Sequence, residues 1–127
     1  MAIERYDPLA VPDAAAWLEM DEGERMELVL DYHNAADVAV PNVTVHATLH
    51  VIVESQIARG DELPVRRKAQ QLMMQGLDRH EAIHAIASVL MNHIHDTMHK
   101  PAPAGDPNQR YYSALGRLNA RKWLRSF

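Results

Sequence analysis

The chain has no cysteine, which excludes disulfides, thiolate metal sites and cysteine nucleophiles. Any metal it binds is held by nitrogen and oxygen. Aromatic residues make up only 6% of the chain against 47% hydrophobic residues in all, a balance that favours packed helices over a sheet built on aromatic cross-strand pairs. The five glycines are scattered, so no glycine-rich phosphate loop forms, and Ser55, Ser88 and Ser113 have no nucleophile-elbow context. No apolar run is long enough to span a bilayer. The N-terminus shows no basic stretch followed by an apolar one, so no signal peptide is read, and a bacterial-type cytoplasmic protein is expected. A formal net charge of −4 argues against nucleic acid as a partner.

What the chain does have is histidine, eight in 127 residues. The length suits one domain with a modest core. Two stretches mirror each other: His46-Ala-Thr-Leu-His50-Val-Ile-Val-Glu54 and Arg79-His80-Glu81-Ala-Ile-His84. Each sets two histidines four residues apart, one turn along a helix face, with a carboxylate close by.

Helix signals place both pairs. Pro12 opens a short first helix. Asp21 with Glu24 reads as a capping box for a helix to about Ala35, and Asn42 can cap another over 43–59. That segment is rich in β-branched residues and also satisfies a strand pattern. Its length and Gly60 at its end favour a helix that is apolar nearly all round, and so central. Pro64 opens a shorter helix closed by Gly76, and Asp78 with Glu81 reads as a second capping box, for a helix from Arg79 to His99. Residues 100–107 form a Pro/Gly-rich linker. A last, basic helix over 108–124 is expected to dock on its own or a partner subunit and so to support a homo-oligomer. The expected fold is all-α: a single-domain bundle of five or six helices, with a metal-binding body over 1–99, the linker, and a C-terminal segment over 108–127.

Short loops would set the helices at 43–59 and 79–99 parallel, with both histidine pairs near their starts and so at one height. His46, His50, His80 and His84 are therefore expected to bind a divalent transition metal together with Glu54. Zn²⁺ leads, with Fe, Ni or Cu as the other candidates suited to imidazole. Glu54 is the expected ligand, orienter or catalytic base. Glu27, Asp31 and His33 are expected close enough to add to the set. His93, His95 and His99 lie farther along the last long helix and are expected in solvent. His80-Glu81-x-x-His84 also matches the zinc-protease pattern in which the Glu is a base, and Glu81-x-x-His84 matches half of a di-iron bundle motif; the matching second half is missing. Two functions stay open: metal-dependent hydrolysis of an unknown small-molecule substrate, or a non-catalytic interaction module stapled by a structural metal or a polar histidine core.

Tyr32-His33, Pro41-Asn42, His46, His50, Glu54-Ser-Gln56 and Leu77-Asp-Arg-His80-Glu81-Ala-Ile-His84-Ala-Ile86 resemble a family of short bacterial proteins of unknown function. The resemblance spans about residues 22–95 and leaves out the last helix. It implies a small helical bacterial protein and assigns no activity.

Overall fold

In a computed structural model that describes residues 3–36, 40–101 and 105–125, the chain is a single all-α domain. Among the described residues there are seven α-helices: α1 (Ala14–Glu19), α2 (Glu22–Ala36), α3 (Val43–Ala58), α4 (Val65–Met74), α5 (Arg79–His99), α6 (Gln109–Arg117) and α7 (Ala120–Arg125), with a 3-10 turn at Gly60–Glu62 between α3 and α4. None is long and apolar enough to cross a membrane. The middle of the expected loop at 36–42 and the middle of the expected linker at 100–107 lie outside the described residues.

The helix ends follow local chemistry. Asp21 and Glu24 close a reciprocal capping box: Glu24 N–H donates to Asp21 Oδ1 at 2.8 Å and Asp21 N–H to Glu24 Oε1 at 3.4 Å. Asn42 Oδ1 accepts from Val45 N–H, and Asp78 Oδ1 from Glu81 N–H. Gly76, at φ 109°, ends α4: its N–H reaches the Met73 carbonyl and the N–H of buried Leu77 reaches the Leu72 carbonyl, the paired bonds of a Schellman cap.

The expected single C-terminal helix is two. Leu118 is extended (φ −72°, ψ 134°), and Asn119 Oδ1 accepts from Lys122 N–H, so an asparagine cap restarts the helix. Both pieces pack on their own chain. The Tyr111 hydroxyl donates to Gln56 Oε1, Ala120 N–H donates to Gln75 Oε1, and Lys68 Nζ donates to the Leu118 carbonyl.

α3 is the central helix, touching α1, α2, α4 and α5. Its β-branched residues do not make it a strand, because they are buried on both flanks. Ala47 and Val51 join Tyr6, Trp17 and Val29 in one core; Val53 and Ile57 join Leu72, Ile83, Ile86 and Leu115 in another. At about 100° per residue, the row His46, His50, Glu54 runs between those two stripes. On the opposite side of α3, Ser55 Oγ accepts from Trp17 Nε1 and from Arg25. Position along α3 therefore sets the histidines at the seam between two cores.

Candidate metal centre

Five histidines meet at that seam. His33 comes from the end of α2, His46 and His50 from α3, His80 and His84 from the start of α5. His50 is the hub, fully buried, with ring centres 4.9 Å from His33, 4.8 Å from His46, 5.3 Å from His80 and 5.2 Å from His84. His33 also lies 4.7 Å from His46, His46 5.1 Å from His84, and His80 4.3 Å from His84. The four imidazoles expected to meet do so. The contacts include His46 with His84 and His50 with His80, diagonals rather than only the level rungs that parallel helices in register would give. His33, an added candidate in the sequence, is a full member; Glu27 and Asp31 are exposed and belong to neither metal-competent group.

The hydrogen bonds fix which ring nitrogens face the centre. The single Tyr6 hydroxyl proton is directed at Glu54 Oε2, 2.6 Å away, so His50 Nδ1–H must donate to the Tyr6 oxygen at 3.0 Å. His33 Nδ1–H donates to the Val29 carbonyl at 2.8 Å. Both rings therefore turn an unprotonated Nε2 inward. The Nε2 atoms of His33, His80 and His84 are buried without a hydrogen-bond partner. His46 Nε2 and His50 Nε2 stand 3.1 Å apart. Two nitrogens each ~2.1 Å from one cation stand roughly 3.0 Å apart at a right angle and roughly 3.4 Å apart in a tetrahedron. The observed spacing suits neighbouring ligands of one ion.

Two groups of three histidines could hold a metal ion, His33–His50–His80 and His46–His50–His84, the ligand atoms within each lying within 4.8 Å of one another. They share His50, whose Nδ1 is committed to Tyr6. One neutral imidazole with one inward lone pair serves one ion, so the two triads are two views of a single site.

Electrostatics agree. Burial first, then the charge each ring would impose on its neighbours, pushes the imidazoles away from the protonated form: His50 to about 2, His84 to about 4, with His46 and His80 also lowered. His46, His50, His80 and His84 are thereby held toward the neutral imidazole, the form a metal requires.

Glu54, expected as ligand and base, faces elsewhere. Its Oε1 takes Arg79 Nη2 at 2.7 Å, and its Oε2 takes Arg79 Nη1 at 2.8 Å as well as Tyr6. Glu54 is 2% exposed and Arg79 4%, and Arg79 also donates to the Pro8 carbonyl. Burial works against the Arg79 charge, but the Glu54 hydrogen bonds and charge outweigh it and raise the pKa. The carboxylate reaches the cluster only through Tyr6. The resulting chain, Arg79–Glu54–Tyr6–His50, orients the hub ring and fixes its tautomer.

Glu81 is the carboxylate on the open side. A cavity of about 450 Å³ is lined by His46 and His84 together with Leu49, Glu81, Ala87, Ser88, Met91, Asn92 and Trp123. Only half of the expected second capping box is seen: Asp78 caps the helix, while Glu81 Oε1 accepts from Trp123 Nε1 at 2.6 Å. His93 stacks on Tyr111, and His95 and His99 lie exposed, their rings 4.3 Å apart.

Sequence reasoning missed Tyr6 and Arg79. Tyr6 sits in an irregular segment with no local pattern. Arg79 carried one available signal, a cation at the first position of a helix, where the dipole disfavours it. No family model, curated protein or solved structure matches this chain, so the site is read from its own geometry.

Proposed function

We propose that this protein binds one divalent transition-metal ion, Zn²⁺ before Fe²⁺, Ni²⁺ or Cu²⁺, drawing its ligands from His33, His46, His50, His80 and His84. The observation that carries the reading is the set of three buried, unpartnered Nε2 atoms, on His33, His80 and His84. Each costs about 1–3 kcal/mol if left unsatisfied, and one cation would satisfy them together. A polar histidine core, the competing reading, would require those atoms to bond one another, and only His46 and His50 are paired in that way.

A reactive ion is favoured over a purely structural one because the His46 and His84 rings also line the cavity beside Glu81, so that an open position on the ion would face that space. Hydrolysis is the simplest chemistry for such an ion: it lowers the pKa of a bound water, and a carboxylate takes the released proton. Glu81 suits that role better than Glu54, whose oxygens are committed to Arg79 and Tyr6. Elemental analysis of untagged protein tests the metal. Near-stoichiometric transition metal is expected; a folded protein that holds none and takes up no added Zn²⁺ overturns the reading.

A further inference from the structure

The cavity between α3, α5 and α7 is lined by two unlike polar groups. His46 and His84 belong to the metal-competent triad that includes buried His50. Glu81, one turn before His84 on α5, accepts the 2.6 Å bond from the Trp123 indole N–H at Oε1. Leu49, Ala87 and Met91 add apolar lining, and Ser88 and Asn92 are exposed. At about 450 Å³ the space matches a small-molecule site and is too small for a folded partner.

The two groups ask different things of a ligand. A cation backed by neutral imidazoles takes an oxygen donor. A carboxylate offers about four lone-pair positions, of which the indole N–H uses one, so Glu81 retains capacity to accept from an N–H. It repels a second negative charge.

Resting on the metal reading above, we propose that this cavity binds small amide-like molecules: a carbonyl-type oxygen on the metal, an adjacent N–H toward Glu81, and an apolar body against Leu49 and Met91. Dicarboxylates and phosphorylated compounds are excluded by Glu81. α7 is then part of the site, because its Trp123 indole N–H holds the Glu81 carboxylate.

The test uses the full chain loaded with Co²⁺, whose visible spectrum reports its coordination, and two probes, benzohydroxamic acid and phthalate. Ser88→Trp fills the cavity from an exposed rim position; Ser113→Trp, exposed on α6, is the control. The proposal expects benzohydroxamic acid to shift the Co²⁺ spectrum in wild type and Ser113→Trp. It expects at least tenfold weaker probe binding in Ser88→Trp with unchanged Co²⁺ uptake, and no saturable shift with phthalate. Glu81→Met is expected to weaken the hydroxamate at least fivefold while leaving Co²⁺ uptake intact. Co²⁺ uptake with no hydroxamate shift, or a shift indifferent to Ser88→Trp, overturns the cavity assignment and leaves the metal site standing. Saturable phthalate binding overturns the amide-like class. Failure to take up Co²⁺ overturns the metal reading itself.

Discussion

Tyr6 and His50 lie 44 residues apart in sequence and share a 3.0 Å hydrogen bond at the centre of the molecule, with the phenol accepting from His50 Nδ1 and donating to Glu54. This bond joins the N-terminal segment to the hub of the histidine cluster. Burial, then the charge and hydrogen bond of Glu54, raise the Tyr6 pKa, so the phenol stays protonated and the direction of the chain does not reverse. Removing the hydroxyl leaves the His50 Nδ1 proton without an acceptor. Tyr6→Phe is expected to weaken Zn²⁺ binding by about 10- to 100-fold, the usual effect of losing a partner that orients a ligand ring. Competition against a chromophoric chelator measures it; wild-type affinity in this variant would show that Tyr6 does not tune the site.

Arg79 and Glu54 form a buried, two-pronged ion pair with exposures of 4% and 2%. Cutting one partner leaves an uncompensated buried charge. Arg79→Met is expected to lower the unfolding free energy by about 3–5 kcal/mol, while Arg79→Met combined with Glu54→Leu recovers a large part of that loss. Urea denaturation in the presence of a chelator reads both. If the double variant proves no more stable than the single one, the cost lies in packing and not in the stranded charge.

The cluster and the exposed His95–His99 pair make opposite predictions for the same kind of change. Replacing His50 and His84 by Ala should abolish metal binding, because His50 belongs to both triads and His84 contributes a buried, unpartnered nitrogen. Replacing His95 and His99 should leave the stoichiometry unchanged, since they sit about 17 Å and about 23 Å beyond His84 along α5 at 1.5 Å per residue. Metal content after dialysis decides. Loss through the second pair alone would move the site to the far end of the helix.

The parts of this arrangement that were legible in sequence are those with local causes. Capping residues bond to backbone three positions away, so Asp21, Asn42, Asp78 and Gly76 announce their helix ends. His46–His50 and His80–His84 announce a shared face because one helical turn brings them together. Glu54 stands one turn beyond His50, and spacing alone cannot distinguish a ligand from an acceptor facing Arg79; the packing of α5 on α3 decides it. Tyr6 left no trace at all, because its position depends on a chain segment folding back 44 residues. A single helix over 108–124 would put Leu118-Asn119 mid-helix, although the asparagine cap that restarts α7 is itself a local signal.

Acid sensitivity follows from how the imidazoles are buried. In an unfolded chain a histidine titrates near ~6.5. In the folded protein burial, followed by the charge of the neighbouring rings, lowers His84 to about 4 and His50 to about 2. His33 from α2, His46 from α3 and His80 from α5 add to the depression, and Asp78 at the start of α5 partly opposes it for His84. Both folded values lie below the unfolded one, so below pH ~6.5 the unfolded chain binds protons that the folded chain refuses. Stability must then rise with pH in that window and fall as pH drops. The chelator-treated protein is therefore expected to show a near-constant melting temperature above pH ~7. Below pH ~6.5 it should fall progressively, the His84 share of the loss running to about pH 4 and the His50 share continuing lower. Added Zn²⁺ should raise the whole curve at neutral pH, since it binds only the folded arrangement, and lose that effect on acidification as protons compete for the same nitrogens. Scanning calorimetry across pH 4–8 with and without Zn²⁺ measures both arms. A melting temperature indifferent to pH between 6.5 and 4.5 would mean that the rings are protonated in the folded state, and a cluster of protonated imidazoles is not a site for a cation.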